Sequence, residues 1–129
     1  MRAAECHHSI ASAILAPVLD NKANPHGNLA MPDLLSGRAF QVVDEGGALV
    51  GAYVLRGQGT EVWVQAAAGR ASADLSDEFD ALIARHAAGF ETVAFRTYRR
   101  GLVRKAIARG YHVARRTDDG GYILRKKLK

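Results

Sequence analysis

The sequence predicts an α/β domain, more narrowly α+β: a mixed, mostly antiparallel twisted sheet flanked by helices. Three stretches carry the prediction. Residues 38–68 alternate apolar runs with glycine-containing turns, the pattern of an antiparallel meander. Residues 60–98 place an amphipathic helical repeat between two strand-like runs, a crossover that makes those two strands parallel. Residues 101–128 run from a short amphipathic helix into two strands joined by Asp118-Asp119-Gly120-Gly121, a strong hairpin signal.

In chain order, Ile10, Ala13, Ile14 and Val18 recur near helical spacing, with Pro17 marking a kink or last turn. Asn21–Asn28 reads as a loop, and Leu29–Leu35 as a short helix ending near Gly37. Strands are predicted over Ala39–Asp44, Ala48–Leu55 and Thr60–Ala68, with turns at Glu45–Gly47 and Arg56–Gly59. Both faces of the third strand are mostly apolar, as in a central strand covered on both sides. Gly69–Ala73 reads as an irregular loop. Asp74–Ala88 is the clearest helix: Leu75, Phe79, Leu82, Ile83 and His86 follow its inward spacing. Asp74, Asp77, Glu78 and Asp80 lie at its start, where the helix dipole favours carboxylates. Glu91–Tyr98 is a strand. In the helix Gly101–Arg109, Leu102, Val103, Ala106 and Ile107 point inward. His112–Thr117 and Tyr122–Leu128 form the hairpin. No linker or repeat divides the 129 residues. The expectation is one domain over 1–129, with an N-terminal helical segment 1–37 and a core 38–128.

Hydrophobic residues make up 48% of the chain, enough for a packed core and too many for a disordered one. No apolar run approaches the roughly 18 residues of a membrane span, and Ile10–Leu19 lacks the flanks of a signal peptide. The lone Cys6 precludes an internal disulfide and fits a reducing, cytoplasmic setting. Cys6-His7-His8 are adjacent and cannot readily converge on one tetrahedral ion, so no metal site is expected. Charge is segregated. Residues 1–95 carry 6 Lys/Arg against 11 Asp/Glu, a net −5, while residues 96–129 carry 12 against 2, a net +10. A basic third of this kind is either a solvated face or a surface for anions.

The order helix, helix, three-strand meander, helix, strand, helix, hairpin resembles the GNAT superfamily of acetyltransferases, without an obvious first strand. "GALVGAYVL" at Gly47–Leu55 resembles the family's strand with a hydrophobic-glycine step. "TEVWVQAAAG" at Thr60–Gly69 resembles the strand before its CoA loop. "GLVRKAIARGYHV" at Gly101–Val113 resembles its last helix and the Gly-aromatic step at Gly110-Tyr111. Short chains of this kind are also similar to GNAT-like proteins of phage and prophage origin. The resemblance implies acetyl-CoA as cofactor. Gln65, Ala66, Ala67 and Ala68 would line its pantetheine arm, and Gly69, Arg70, Ala71, Ser72 and Ala73 would wrap its pyrophosphate at a helix N-terminus.

The match is incomplete. The family's Arg/Gln-x-x-Gly-x-Gly/Ala loop does not register cleanly on Ala67–Ala73, and the helix after it starts with carboxylates. The family's acid tyrosine would fall at Ala106, and its common Asn at Arg99. Among groups able to move a proton, Glu61 is the candidate base and Tyr98 the candidate acid. His86, His112 and Trp63 read as packing residues. Two functions follow. One is N-acetyl transfer from acetyl-CoA to an unidentified amine. The alternative is a catalytically silent GNAT-like binding module, phage- or virion-associated, or binding nucleic acid through Arg96, Arg99, Arg100, Arg104 and Lys105. These basic residues are not interleaved with stacking aromatics, which disfavours a single-strand platform. An exposed edge strand near the C-terminus is a surface on which a homodimer could form.

Overall fold

The computed structural model describes residues 1–20, 30–69 and 76–128. The predicted loops at Asn21–Asn28 and Arg70–Ala73, with Asp74 and Leu75, lie outside them. The elements run β1 (Arg2–Glu5), α1 (His8–Leu15), a 3₁₀ turn (Ala16–Asp20), α2 (Met31–Leu34), β2 (Arg38–Val43), β3 (Leu49–Gln58) and β4 (Glu61–Gly69). Then follow α3 (Ser76–His86), β5 (Thr92–Thr97), α4 (Arg100–Ala108), β6 (His112–Arg116) and β7 (Tyr122–Lys127). The seven strands form one sheet in the order β1-β2-β3-β4-β5-β7-β6. Every neighbouring pair is antiparallel except β4–β5. The crossover through α3 accounts for that parallel pair.

The predicted mixed, mostly antiparallel sheet is present, with three corrections. A first strand exists: Arg2–Glu5 pairs with Phe40–Val43 of β2, and Arg38 reaches Glu5 across the edge at 2.6 Å. The turn expected at Arg56–Gly59 shrinks to Gly59 and Thr60, because Gln58 already faces Glu61. Gly59 has φ +61°, as a two-residue hairpin loop with glycine first requires. Two helix faces are also rotated from expectation. Ala11, Ile14 and Leu15 are buried in α1 while Ile10 is 39% exposed, and in α4 Val103 and Ala106 are buried while Ile107 is 51% exposed.

Cross-strand partners share a face, so the register sorts the side chains into two layers. On one face Phe40, Tyr53, Val62, Val93 and Leu124 pack with Phe79, Leu82 and Ile83 of α3 and with Val103 and Ala106 of α4. On the other, Ala39, Ala52, Val54 and Ala66 pack with Ala11, Ile14, Leu15 and Leu34 of α1 and α2. The small residues in this second layer let the two N-terminal helices lie close to the sheet. These helices touch β2, β3 and β4, whereas α4 touches β5, β6 and β7 on the first face.

The centre of the first layer is polar at one point. Tyr53 is fully buried, stacked on Phe40, and its hydroxyl lies 2.8 Å from His86 Nδ1. Burial pushes the Tyr53 phenol far above its ordinary value. It therefore stays neutral, and the contact, with His86 Nδ1 also 3.2 Å from the Leu82 carbonyl, fixes the end of α3 against the sheet.

Candidate functional site

The parallel pair β4–β5 is the irregular place in the sheet. Its ladder holds only Glu61 with Thr92, Val62 with Val93 and Trp63 with Ala94. Both strands continue beyond the last rung, β4 to Gly69 and β5 to Thr97. On that side Val64 and Ala66–Gly69 pair with β3 and no longer with β5. The strands have parted, and the facing edges of their main chains open into a wedge.

A bulge sits at the point of parting. Leu55 faces Val64 while Val54 faces Ala66, so Gln65 is an extra residue in β4. A bulge leaves a residue out of the ladder and bends its strand. Here it turns β4 away from β5 two residues beyond the last rung. Ala66, Ala67, Ala68 and Gly69 then carry little or no side chain along the opening.

The closed end of the wedge is clasped. The Glu61 carboxylate accepts from Thr92 Oγ1 at 2.8 Å, and from Arg125 Nε and Nη2 at 2.5 and 3.2 Å. These three residues stand on β4, β5 and β7, so one carboxylate ties three neighbouring strands on the face that carries α1 and α2. The Arg125 hydrogen bond holds the Glu61 carboxyl below its ordinary value, against the opposing effect of burial. A carboxyl depressed in the folded state stabilises fully above its unfolded value, near 4.5, and loses that contribution as pH falls through the folded value. Glu61→Gln is therefore expected to be less stable than the parent at about pH 6 and to lose less on acidification toward about pH 2. Urea unfolding across that range measures it, and parallel curves for the two proteins would contradict the clasp.

Tyr98 follows β5 directly. Its hydroxyl donates to Asp119 Oδ2 at 2.7 Å, and the Asp119 hydrogen bond holds the phenol above its ordinary value. Asp119 also accepts from Thr117 Oγ1 at 2.5 Å, and Gly121 N–H donates to the same Thr117 oxygen at 2.7 Å. Tyr98 thus anchors the β6–β7 hairpin to the end of β5. Glu61 and Tyr98 do not come together: the first stands at the closed end of the wedge, the second beyond the last residue of β5.

The acidic start of α3 is partly neutralised. Asp80 accepts from Lys126 Nζ at 2.9 Å and from the Tyr111 hydroxyl at 3.1 Å, while Lys126 also lies 4.8 Å from the Tyr111 ring centroid. Burial, reinforced by Asp80, pushes Tyr111 far above its ordinary value, so it remains a donor. Gly110-Tyr111, read from sequence as a step into the next strand, is thus also a tie between α3 and β7. The stretch that the resemblance offers for cofactor binding divides. Gln65, Ala66, Ala67, Ala68 and Gly69 lie along the wedge, whereas Arg70, Ala71, Ser72 and Ala73 fall outside the described residues. The basic residues divide too: Arg96 lies on the sheet, Arg99 is the residue before α4, and Arg100, Arg104 and Lys105 lie on α4.

Sequence reasoning missed the clasp because Arg125 lies 64 positions from Glu61. It missed the bulge because no residue type marks it. Among the described residues no group of three or more His, Cys, Asp or Glu converges as a metal site would. None of the described helices is long and apolar enough to cross a membrane.

At the level of sequence, no family model and no curated protein matches the chain. Solved structures match over its whole length. The ribosomal-protein-S18-alanine N-acetyltransferase of Escherichia coli superposes with TM-score 0.70 at 12% identity, covering 99% of this chain and 94% of that one. A GNAT-family acetyltransferase of Staphylococcus aureus Mu50 gives 0.69 at 9%, covering 99% of each. An aminoglycoside 6'-N-acetyltransferase complexed with coenzyme A gives 0.69 at 12%, covering 100% and 98%. At these identities the likeness is one of fold, and the fold is that of the GNAT superfamily.

Proposed function

We propose that the chain is an N-acyltransferase that takes its acyl group from acetyl-CoA held in the β4–β5 wedge. The observation that carries this reading is the short ladder. Two strands part after Trp63 and Ala94, leaving main-chain edges facing each other across a gap. Main-chain N–H and C=O groups seek partners. An extended chain of amides, such as the pantetheine arm, supplies them as an added strand would.

Acetyl-CoA contributes an activated thioester. Val64–Gly69 would hold its arm, and the small side chains of Ala66–Gly69 leave room for it. In this reading Arg70, Ala71, Ser72 and Ala73, which precede α3 in the chain, would contact the phosphates. The Lys126–Asp80 pair removes one carboxylate from the field those phosphates would meet. An N–H released by the bulge at Gln65 is suited to a developing oxyanion, since a donor already in place costs no reorganisation.

Glu61 and Tyr98 enter as positioning groups. A base works best with a pKa near the working pH. The Glu61 carboxylate is held lower and already accepts from Arg125 and Thr92. Rate enhancement then rests on holding amine and thioester together, which alone supplies a large part of a barrier reduction.

Thermal denaturation with acetyl-CoA and with CoA tests this reading. At a hundredfold excess over Kd a ligand adds about 2.7 kcal/mol, which raises Tm by roughly 5–10 °C for a chain of this size. No rise with either ligand at about 1 mM would sink the proposal.

A further inference from the structure

The two halves of the sheet are covered differently. The face carrying α1 and α2 is roofed over β2, β3 and β4. Over β5, β7 and β6 the same face has no described helix, because α4 packs on the opposite side. Register identifies what this bare half-sheet displays. One cross-strand row is Ala94, Arg125 and His112, and the next toward the open end of the wedge is Arg96, Ile123 and Arg115. Lys127 stands beside Thr92 at the closed end. Arg96, His112, Arg115 and Lys127 are all exposed. Arg96 leans over the Tyr98 ring at 6.0 Å. The carboxylate on these rows is Glu61, which Arg125 already holds. Asp118 and Asp119 lie beyond them, at the hairpin tip.

This face is also where an acceptor would approach the wedge. On the opposite face α3 and α4 close over Val62, Val93 and Leu124. From the N-terminal helix face, the last rung Trp63–Ala94 is flanked by the bare rows. Arg96 stands two residues, about 7 Å of strand, beyond Ala94. Arg96 and Arg115 are two strand spacings apart, about 10 Å, on either side of Ile123. Two guanidiniums at that spacing suit a carboxylate or phosphate on a molecule whose amine reaches the wedge.

Building on the acyltransferase reading, we infer that the acceptor is an anionic amine, its carboxylate or phosphate held between Arg96 and Arg115 on the uncovered face of β5–β7–β6. The same field opposes a polycationic acceptor such as an aminoglycoside.

The test follows CoA thiol release from acetyl-CoA with four probes: phosphoserine, glutamyl-glutamate, glycinamide and an aminoglycoside. The two anionic amines are expected to exceed glycinamide in kcat/KM by about tenfold or more, with the aminoglycoside last. The better of the two distinguishes phosphate from carboxylate. In Arg96→Gln/Arg115→Gln, KM for the anionic probes is expected to rise about tenfold, with kcat within about twofold. Stabilisation by acetyl-CoA stays at the parent value, which separates acceptor recognition from folding. If acetyl-CoA stabilises the protein but anionic amines are used no better than the aminoglycoside, or the double variant leaves KM unchanged, the inference is overturned. If acetyl-CoA does not stabilise the protein, or no probe is turned over, an NMR titration with phosphoserine decides it. Shifts at Arg96, Ile123 and Arg115 that vanish in the double variant support the anion site, and unshifted resonances there refute it.

Discussion

Gly51→Ala is expected to destabilise the protein by about 3 kcal/mol and to abolish stabilisation by acetyl-CoA. A Cβ at position 51 would lie 2.3 Å from Phe79 Cζ and 2.8 Å from the Ala68 carbonyl oxygen. The carbonyl belongs to β4 and cannot retreat without breaking the β3–β4 ladder. Phe79 lies in α3 and is 8% exposed, so its ring has little room to turn aside. The methyl therefore drives α3 away from the end of β4, the two elements between which the cofactor's phosphates are proposed to lie. Urea unfolding gives the first quantity and thermal shift with acetyl-CoA the second. Trimming the ring in Gly51→Ala/Phe79→Leu should recover part of the stability, because it removes the closer of the two clashes. Additive losses would mean that the contact is not the cause.

Gly37→Ala is expected to cost at least as much, about 3–4 kcal/mol, by a different route. Gly37 has φ +141°, which side chains of L-residues rarely adopt. An added Cβ would stand 2.3 Å from the Leu55 carbonyl oxygen and 2.9 Å from its carbon. Both obstacles are backbone, so no rotamer relieves them. The Gly37 carbonyl also accepts from His8 Nε2 at 2.9 Å, joining the start of α1 to the entry of β2. A midpoint in urea lowered by less than a third of the parent value would show that this corner yields more easily than its geometry implies.

The legible parts of the sequence were those governed by neighbours in the chain. Phe79, Leu82 and Ile83 recur at helical spacing, and all three are buried on the sheet. Asp118–Gly121 encodes its hairpin locally. The first strand was not legible because Arg2-Ala3-Ala4-Glu5 holds no β-branched or aromatic residue. It is a strand because the edge of β2 offers it partners 35 to 41 positions away. The inward stripe of α4 misled at Ile107, whose spacing fits the core although the sheet beneath is already filled by Val103 and Ala106. At the site, the sequence showed a run of small residues ahead of a helix but not the parting of the strands. A wedge is a relation between two strands, set by a bulge at Gln65 and by Glu61, Thr92 and Arg125 meeting across three strands. No single segment contains it. For the same reason Glu61 read as a base: its exposed-looking place on a strand was visible, and its distant partner was not.

The parallel ladder is only three rungs long, and this shapes how the molecule is held together. The sheet is two leaves, β1–β4 and β5–β7, sewn along a short seam. The main chain adds little more at the closed end, where Glu91 N–H reaches the Thr60 carbonyl at 2.7 Å. What crosses the seam in quantity is greasy side chain, with Phe40 and Tyr53 from one leaf in the same cluster as Val93 and Leu124 from the other. Hydrogen bonds tolerate small changes of distance and angle poorly. Dispersion and water exclusion are non-directional. Two leaves glued by their oily undersides would, if the proposed cofactor enters as a guest strand, spread slightly and settle again without unravelling a ladder.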